Sequence, residues 1–245
     1  MAGKGRKTEL AATPKADVEP LLDAAEGLTL EAKAVPTGDA GQAAPQERPL
    51  VLGDDDVRDP ALHERIVKED ELFRGLIFGV GRVGVMLPDG NPAERDVVRH
   101  PGAVAVVALT GDGRICLVRQ YRAALDRVTV EIPAGKLSPG EDPLECAKRE
   151  LLEETGYTAG RIAYLTTIAT TPGFTDELIH IYMATDLVFS AADPDDDEFL
   201  AVDLVDLSEL VDAVLDGRIE DAKTVVGALI CDAVAHRLEP DRLDG

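Results

Sequence analysis

Tryptophan is absent from this 245-residue chain, and aromatic residues make up only 4% of it. Three cysteines, Cys116, Cys146 and Cys231, stand isolated inside apolar patterns. Cysteines so placed read as small buried hydrophobes of a reducing cytoplasm, not as disulfide or metal sites. Positive charge is scarce as well: 25 Lys and Arg stand against 47 Asp and Glu, a formal net charge of −22. Nucleic-acid binding rests on basic patches that neutralise phosphates, so this balance argues against a nucleic-acid partner. No apolar run is long enough to span a bilayer, so no membrane association is expected. Lys4, Arg6 and Lys7 open the chain, but no hydrophobic segment follows, so no secretory signal is expected. What remains is an ordinary apolar fraction of 45%, enough for a core.

Residues 1–60 are rich in Ala, Gly, Pro, Asp and Glu with weak periodicity, and are expected to be a flexible extension with at most a short helix within Val18–Val35. Residues 61–100 change character. Arg65–Lys68, Leu76–Val85 and Arg95–Arg99 read as strands broken by the turn Pro88-Asp89-Gly90-Asn91-Pro92, a small antiparallel section. Residues 101–240 then form the main unit. Ala103–Leu109, the turn Gly111-Asp112-Gly113 and Ile115–Val118 suggest a buried hairpin. Further strands are expected at Val128–Ile132, Ile162–Thr170, Leu178–Thr185 and Phe199–Val205, and helices at Ser208–Leu215 and Asp221–Arg237. Mixed strands with helices on both sides give an α/β/α sandwich.

The most informative stretch runs from Ala134 to Tyr157. Asp142 suits a helix N-cap, Pro143 the first helical position, and Glu145 completes a capping box. Gly156 falls where a left-handed residue ends a helix. Leu144, Ala147 and Leu151 make the buried stripe. Glu150, Glu153 and Glu154, at i, i+3 and i+4, gather within one turn on another face, with Arg149 one turn before Glu153 placed to orient it. Like charges so spaced disfavour a helix by a few tenths of a kcal/mol per pair, roughly, unless a cation sits on them. A solvated acidic face is the plain alternative. A hard divalent cation such as Mg²⁺ is the functional one, since it takes one or two carboxylates plus water and substrate phosphate.

Gly135, five residues, Glu141, seven residues, then Arg149-Glu150-Leu151-Leu152-Glu153-Glu154-Thr155-Gly156-Tyr157 resembles the Nudix box at every fixed position. The likeness extends from about Glu64 to about Leu238 and is closest to the ADP-ribose pyrophosphatase branch of that family. The resemblance implies a Nudix-type α/β/α sandwich and a Mg²⁺-dependent hydrolase, with Mn²⁺ as a possible substitute. It implies cleavage of ADP-ribose to AMP and ribose 5-phosphate, and a homodimer to which the N-terminal section contributes by crossing to the partner subunit. Other nucleoside-diphosphate sugars are the alternative substrates. A non-hydrolysing ligand sensor is the alternative from another class, one that normally loses box carboxylates.

A pyrophosphate is a doubly anionic target, so water attack needs charge neutralisation, which metal ions supply. Glu150 and Glu154, with Glu153 close behind, are the candidate ligands. The resemblance adds the main-chain carbonyl of Ala134, with Gly135 letting the backbone approach. Glu141 is expected to fix the loop geometry, and Lys136 to be an ordinary exposed lysine. A base is also required; the family likeness puts it in Asp195–Phe199, with Glu198 the best match and Asp197 the nearest substitute. Strand alternation puts Arg122 on the opposite face from Arg119, and the resemblance makes Arg122 a phosphate ligand. Arg95, from the partner, would be a second. A surface salt bridge is the plain reading of either. Pro172, sixteen residues after Gly156, and the loop Pro172-Gly173-Phe174-Thr175-Asp176-Glu177 resemble the signature of the ADP-ribose branch, which assigns Pro172 and Glu177 to the substrate. Phe73 or Phe78 could stack on a base, but buried packing is the expectation for both.

Overall fold

The computed structural model describes residues 59–191 and 199–238. The expected extension up to residue 58, and the loop carrying Asp197 and Glu198, lie outside the described residues. Three strands, β1 (Arg65–Arg74), β2 (Gly79–Met86) and β3 (Pro92–Arg99), form an antiparallel sheet in that order. The turn between β2 and β3 closes through Gly90 N–H to Leu87 O and Leu87 N–H to Asn91 O, with Gly90 at φ +84°.

Two further sheets make the main unit. One joins β4 (Ala103–Ala108), β7 (Ala134–Lys136), β8 (Tyr157–Ala169) and β9 (Leu178–Phe189) in the order β7-β4-β9-β8, with β4 parallel to β9 and the other pairs antiparallel. The other joins β5 (Arg114–Arg122), β6 (Arg127–Glu131) and β10 (Ala201–Asp206) in the order β10-β5-β6. Helix α1 (Pro143–Thr155) lies on one side, and α2 (Leu207–Leu215) and α3 (Ala222–Leu238) on the other.

The side-chain alternation of β4 explains this layering. Val104, Val106 and Ala108 pack with Cys146, Ala147 and Leu151 of α1, whereas Ala105 and Val107 pack with Leu210 of α2 and Ala228 and Cys231 of α3. A strand covered on both faces reads as a continuous apolar run, which is what the sequence shows. All three cysteines are buried and free, as expected. Burial pushes the thiols of Cys116 and Cys146 up to about 12, so both stay protonated and inert.

The structure corrects three expectations. β4 and β5 are not a hairpin: beyond the turn they share only an isolated bridge, Leu109 to Ile115, and enter different sheets. The doubly buried β4 satisfies its backbone with β7 and β9, partners far apart in sequence. Glu145 pairs with Lys148 Nζ at 2.7 Å in place of closing a capping box. Phe73 and Phe78 are exposed, not buried, and pack only loosely on each other at 6.4 Å between ring centroids. No described helix covers the sheet that carries them, and Ile66, Leu72, Leu76 and Ile77 of the same region are exposed too.

Candidate active site

The box helix is held by its caps. The Asp142 carboxylate accepts from the N–H groups of Leu144 (2.9 Å) and Glu145 (3.2 Å), and Gly156 ends the helix at φ +74° with its N–H on Leu152 O. With Cys146, Ala147 and Leu151 against β4, the next face of the helix meets β7. There Glu154 Oε2 accepts from Ala134 N–H at 2.9 Å. Glu150 lies so close over Gly135 that a Cβ on that residue would fall 1.9 Å from Glu150 Cδ. The backbone approach expected of Gly135 is therefore an approach to a carboxylate.

The three box glutamates do not share one environment. Glu150 and Glu154 are buried, 9% and 4% exposed, while the Glu153 side chain remains 36% exposed. Arg149 collects the carboxylates around it. Its Nε and Nη2 reach Glu141 at 2.9 and 3.1 Å, and its Nη1 reaches Glu150 and Glu153, each at 2.8 Å. Arg149 thus contacts Glu150 and Glu141 as well as Glu153, the carboxylate it was expected to orient. Glu141 also accepts from Ser138 N–H at 2.9 Å, which fixes the loop as expected of it. Arg149, helped by that N–H, holds the Glu141 carboxyl down at about 2. Glu141 foremost, then Glu153 and Glu150, keep the guanidinium firmly protonated.

Among the described residues no three Asp, Glu, His or Cys side chains converge into a ready coordination sphere. Arg149 Nη1 holds Glu153 and one oxygen of Glu150. The donor set still fits a hard divalent ion. Two carboxylates are fixed beside the main chain at Ala134 and Gly135, and Mg²⁺ needs only one or two, filling its other positions with water and phosphate.

Arg122, at the end of β5, is forked on Glu131 of β6, Nε to Oε1 at 2.8 Å and Nη2 to Oε2 at 2.6 Å. It is near enough to Glu154 to sense its charge. Arg119 pairs instead with Asp203 of β10. Arg122, Glu131 and Lys223 line a cleft of about 530 Å³ between β6 and the segment joining α2 to α3. Glu131 and Lys223 were not singled out from the sequence. The one available signal is that Lys223 and Thr224 interrupt the apolar run from Ala222 to Cys231.

The remaining candidates sit elsewhere. Arg95 belongs to β3 and pairs with Glu64 at 2.6 Å. The loop with Pro172 and Glu177 is sewn to the end of β3: Val98 N–H bonds Phe174 O, Asp176 N–H bonds Val98 O, and Asp176 pairs with Arg99 at 3.0 Å. Glu177 accepts from Thr170 Oγ1 at 2.8 Å and lies 3.3 Å from His100 Nδ1. A small cleft lined by Phe78, Phe174, His100 and Glu177 opens at this seam.

Two buried carboxylates on a capped helix, set over a glycine-containing strand and braced by one arginine, are the core of a NUDIX domain. The family model described as "NUDIX domain" matches residues 99–226, just over half of the sequence, and the chain belongs to that family. It is 46% identical over 167 residues to the methanol dehydrogenase activator of Bacillus methanolicus, covering 66% of this chain and 89% of the relative. It is 42% identical over 166 residues to the ADP-ribose pyrophosphatase of Bacillus subtilis, covering 67% and 90%. Against the ADP-ribose pyrophosphatase of Mycobacterium tuberculosis it is 36% identical over 171 residues, covering 69% and 83%. A crystal structure of an ADP compounds hydrolase superposes with a TM-score of 0.64, covering 72% of this chain and 97% of that one; at 23% identity this shows the fold. Among the described residues no helix is long and apolar enough to cross a membrane.

Proposed function

We propose that this chain is a divalent-metal-dependent hydrolase that cleaves the pyrophosphate of ADP-ribose to AMP and ribose 5-phosphate. The observation that carries the reading is the pair Glu150 and Glu154, buried and fixed beside Ala134 and Gly135. Two relatives that the chain covers over most of their length are named ADP-ribose pyrophosphatases, which supports the substrate. Glu150, Glu154 and the Ala134 carbonyl would hold the metal, with Glu153 joining once released from Arg149. Mg²⁺ is the ion this oxygen donor set favours, with Mn²⁺ able to replace it. The ion supplies neutralisation of the diphosphate and a bound water of lowered pKa. Arg149 keeps the carboxylates in place, Arg122 contacts substrate anions, Pro172 and Glu177 shape the far end of the site, and Glu198 serves as base.

A relative named GDP-mannose pyrophosphatase, 30% identical over 154 residues, favours other nucleoside-diphosphate sugars as the second reading. The intact box argues against a sensor without hydrolysis. Residues 61–100 act as a dimerising section and 101–240 as the catalytic unit. The exposed Ile66, Leu72, Phe73, Leu76, Ile77 and Phe78 support a homodimer, since a second copy would cover them and bring Arg95 to the neighbouring site. Buried free cysteines fit a cytoplasmic protein. The test is a coupled one. ADP-ribose is incubated with the protein, Mg²⁺ and a phosphomonoesterase, which frees phosphate only from the two products. Phosphate release that depends on both protein and metal is expected. If ADP-ribose binds but is not cleaved with either Mg²⁺ or Mn²⁺, the sensor reading replaces this one.

A further inference from the structure

Lys223 is 7% exposed and Glu131 is 2% exposed, and the Lys223 ammonium contacts Glu131 Oε2, the same oxygen that accepts from Arg122 Nη2. We propose that Lys223 is a positioning residue for Arg122: it locks the Glu131 carboxylate that aims the Arg122 guanidinium, and it offsets the negative charge of that wall of the site. The inference rests on the reading of Arg122 as a contact for an anionic substrate, and assigns to its upkeep two residues with no role so far.

The geometry is a relay from α3 to β5. Asp221 accepts from Thr224 N–H at 3.0 Å and Thr224 Oγ1 at 2.6 Å, and its other oxygen holds Lys223 Nζ at 2.9 Å. Thr224 Oγ1 in turn accepts from Ile132 N–H at 2.9 Å, so the start of α3 is stitched to the end of β6. Glu131 is thereby restrained from two directions, by Lys223 at Oε2 and by Thr129 Oγ1 at Oε1. A carboxylate held at both oxygens presents a fixed fork, and the Arg122 fork fits it in one orientation. Nη1 of Arg122 then makes no bond to a described residue, and the side chain is 41% exposed along the cleft.

Charge makes the same point. Glu131, Asp221, Arg122 and Lys223 sum to zero as they stand. Without Lys223 they sum to −1, close to Glu154 and beside a site that must admit a diphosphate. Stability alone does not require the lysine. A buried ion pair is often no better than a well-packed apolar residue, and α3 is otherwise apolar from Val225 to Cys231.

The experiment measures kcat and KM for ADP-ribose, and calorimetric affinity for its methylene-bridged analogue, across variants. Lys223→Met should raise KM and the analogue Kd by about tenfold with kcat within about threefold, the scale of a typical coupling between contacting residues. Lys223→Arg, which restores a cation, should recover most of the loss. In an Arg122→Ala background, Lys223→Met should change KM by less than about twofold, because its route of action is gone. An unchanged KM in Lys223→Met, or an equal rise with and without Arg122, would overturn the proposal and leave Lys223 as packing. If Lys223→Met loses its cooperative melt, Lys223→Gln takes its place with the same expectations. If the wild type prefers another nucleoside-diphosphate sugar, the substrate reading fails by itself. The same comparison on that sugar then decides the role of Lys223.

Discussion

Gly135 and Glu150 meet with no room for a methyl group: a Cβ on Gly135 would lie 1.9–2.2 Å from the three carboxylate atoms of Glu150. The glycine of the box is thus defined by a steric relation to a carboxylate fifteen residues later.

Gly135→Ala should therefore push Glu150 out of place while leaving the core intact. Overpacking of this kind costs about 1–3 kcal/mol, and displacement of a reacting group by about 1 Å costs on the order of 100-fold in rate. Thermal melting and kcat, measured together, check this. A variant with wild-type turnover would contradict the arrangement at Gly135.

Glu154→Gln keeps an oxygen that can accept from Ala134 N–H but removes a charged ligand. Folding should survive, and turnover should fall on the order of 100-fold or more, the scale of losing one electrostatic stabiliser in the transition state. Near-normal kcat at saturating Mg²⁺ would remove Glu154 from the site.

The helix that carries these residues was legible because its signals are local. Asp142, Pro143 and Gly156 act within a turn of the elements they end, and each does so here. The separation of β4 from β5 was not legible, since β4 finds its parallel partner in β9, some seventy residues on. Glu131 and Lys223 escaped notice for the same reason, being 92 residues apart in sequence. The exposed faces of Phe73 and Phe78 show that an apolar residue reports burial only once its sheet is covered.

Acid should destabilise the fold through Glu131. Burial alone would push its carboxyl up, but Arg122, Lys223 and Thr129 outweigh it and hold it at about 2, against an ordinary 4.5. A depressed carboxylate stabilises above its unfolded pKa and loses that contribution as pH falls through its folded one. The melting temperature should drop between about pH 4.5 and pH 2, with on the order of 2–3 kcal/mol at stake from this group. Glu131→Gln should melt lower at neutral pH and show a shallower acid dependence. An equally steep decline in the variant would assign the effect elsewhere.

Glu198→Gln should lower kcat far more than it changes KM, the mark of an interaction made mainly in the transition state. Asp197→Asn should be mild. The reverse order would move the base by one residue.

The most direct test of the whole account is the ratio of kcat/KM for ADP-ribose to that for ATP, with Mg²⁺ present. A site that hydrogen-bonds a terminal ribose rejects analogues lacking its hydroxyls. ADP-ribose should lead by at least about tenfold, on the order of 1.4 kcal/mol of transition-state discrimination, with ADP-glucose and ADP-mannose between them. A lead for ATP, or for a UDP-sugar, would contradict the assignment of ADP-ribose as substrate.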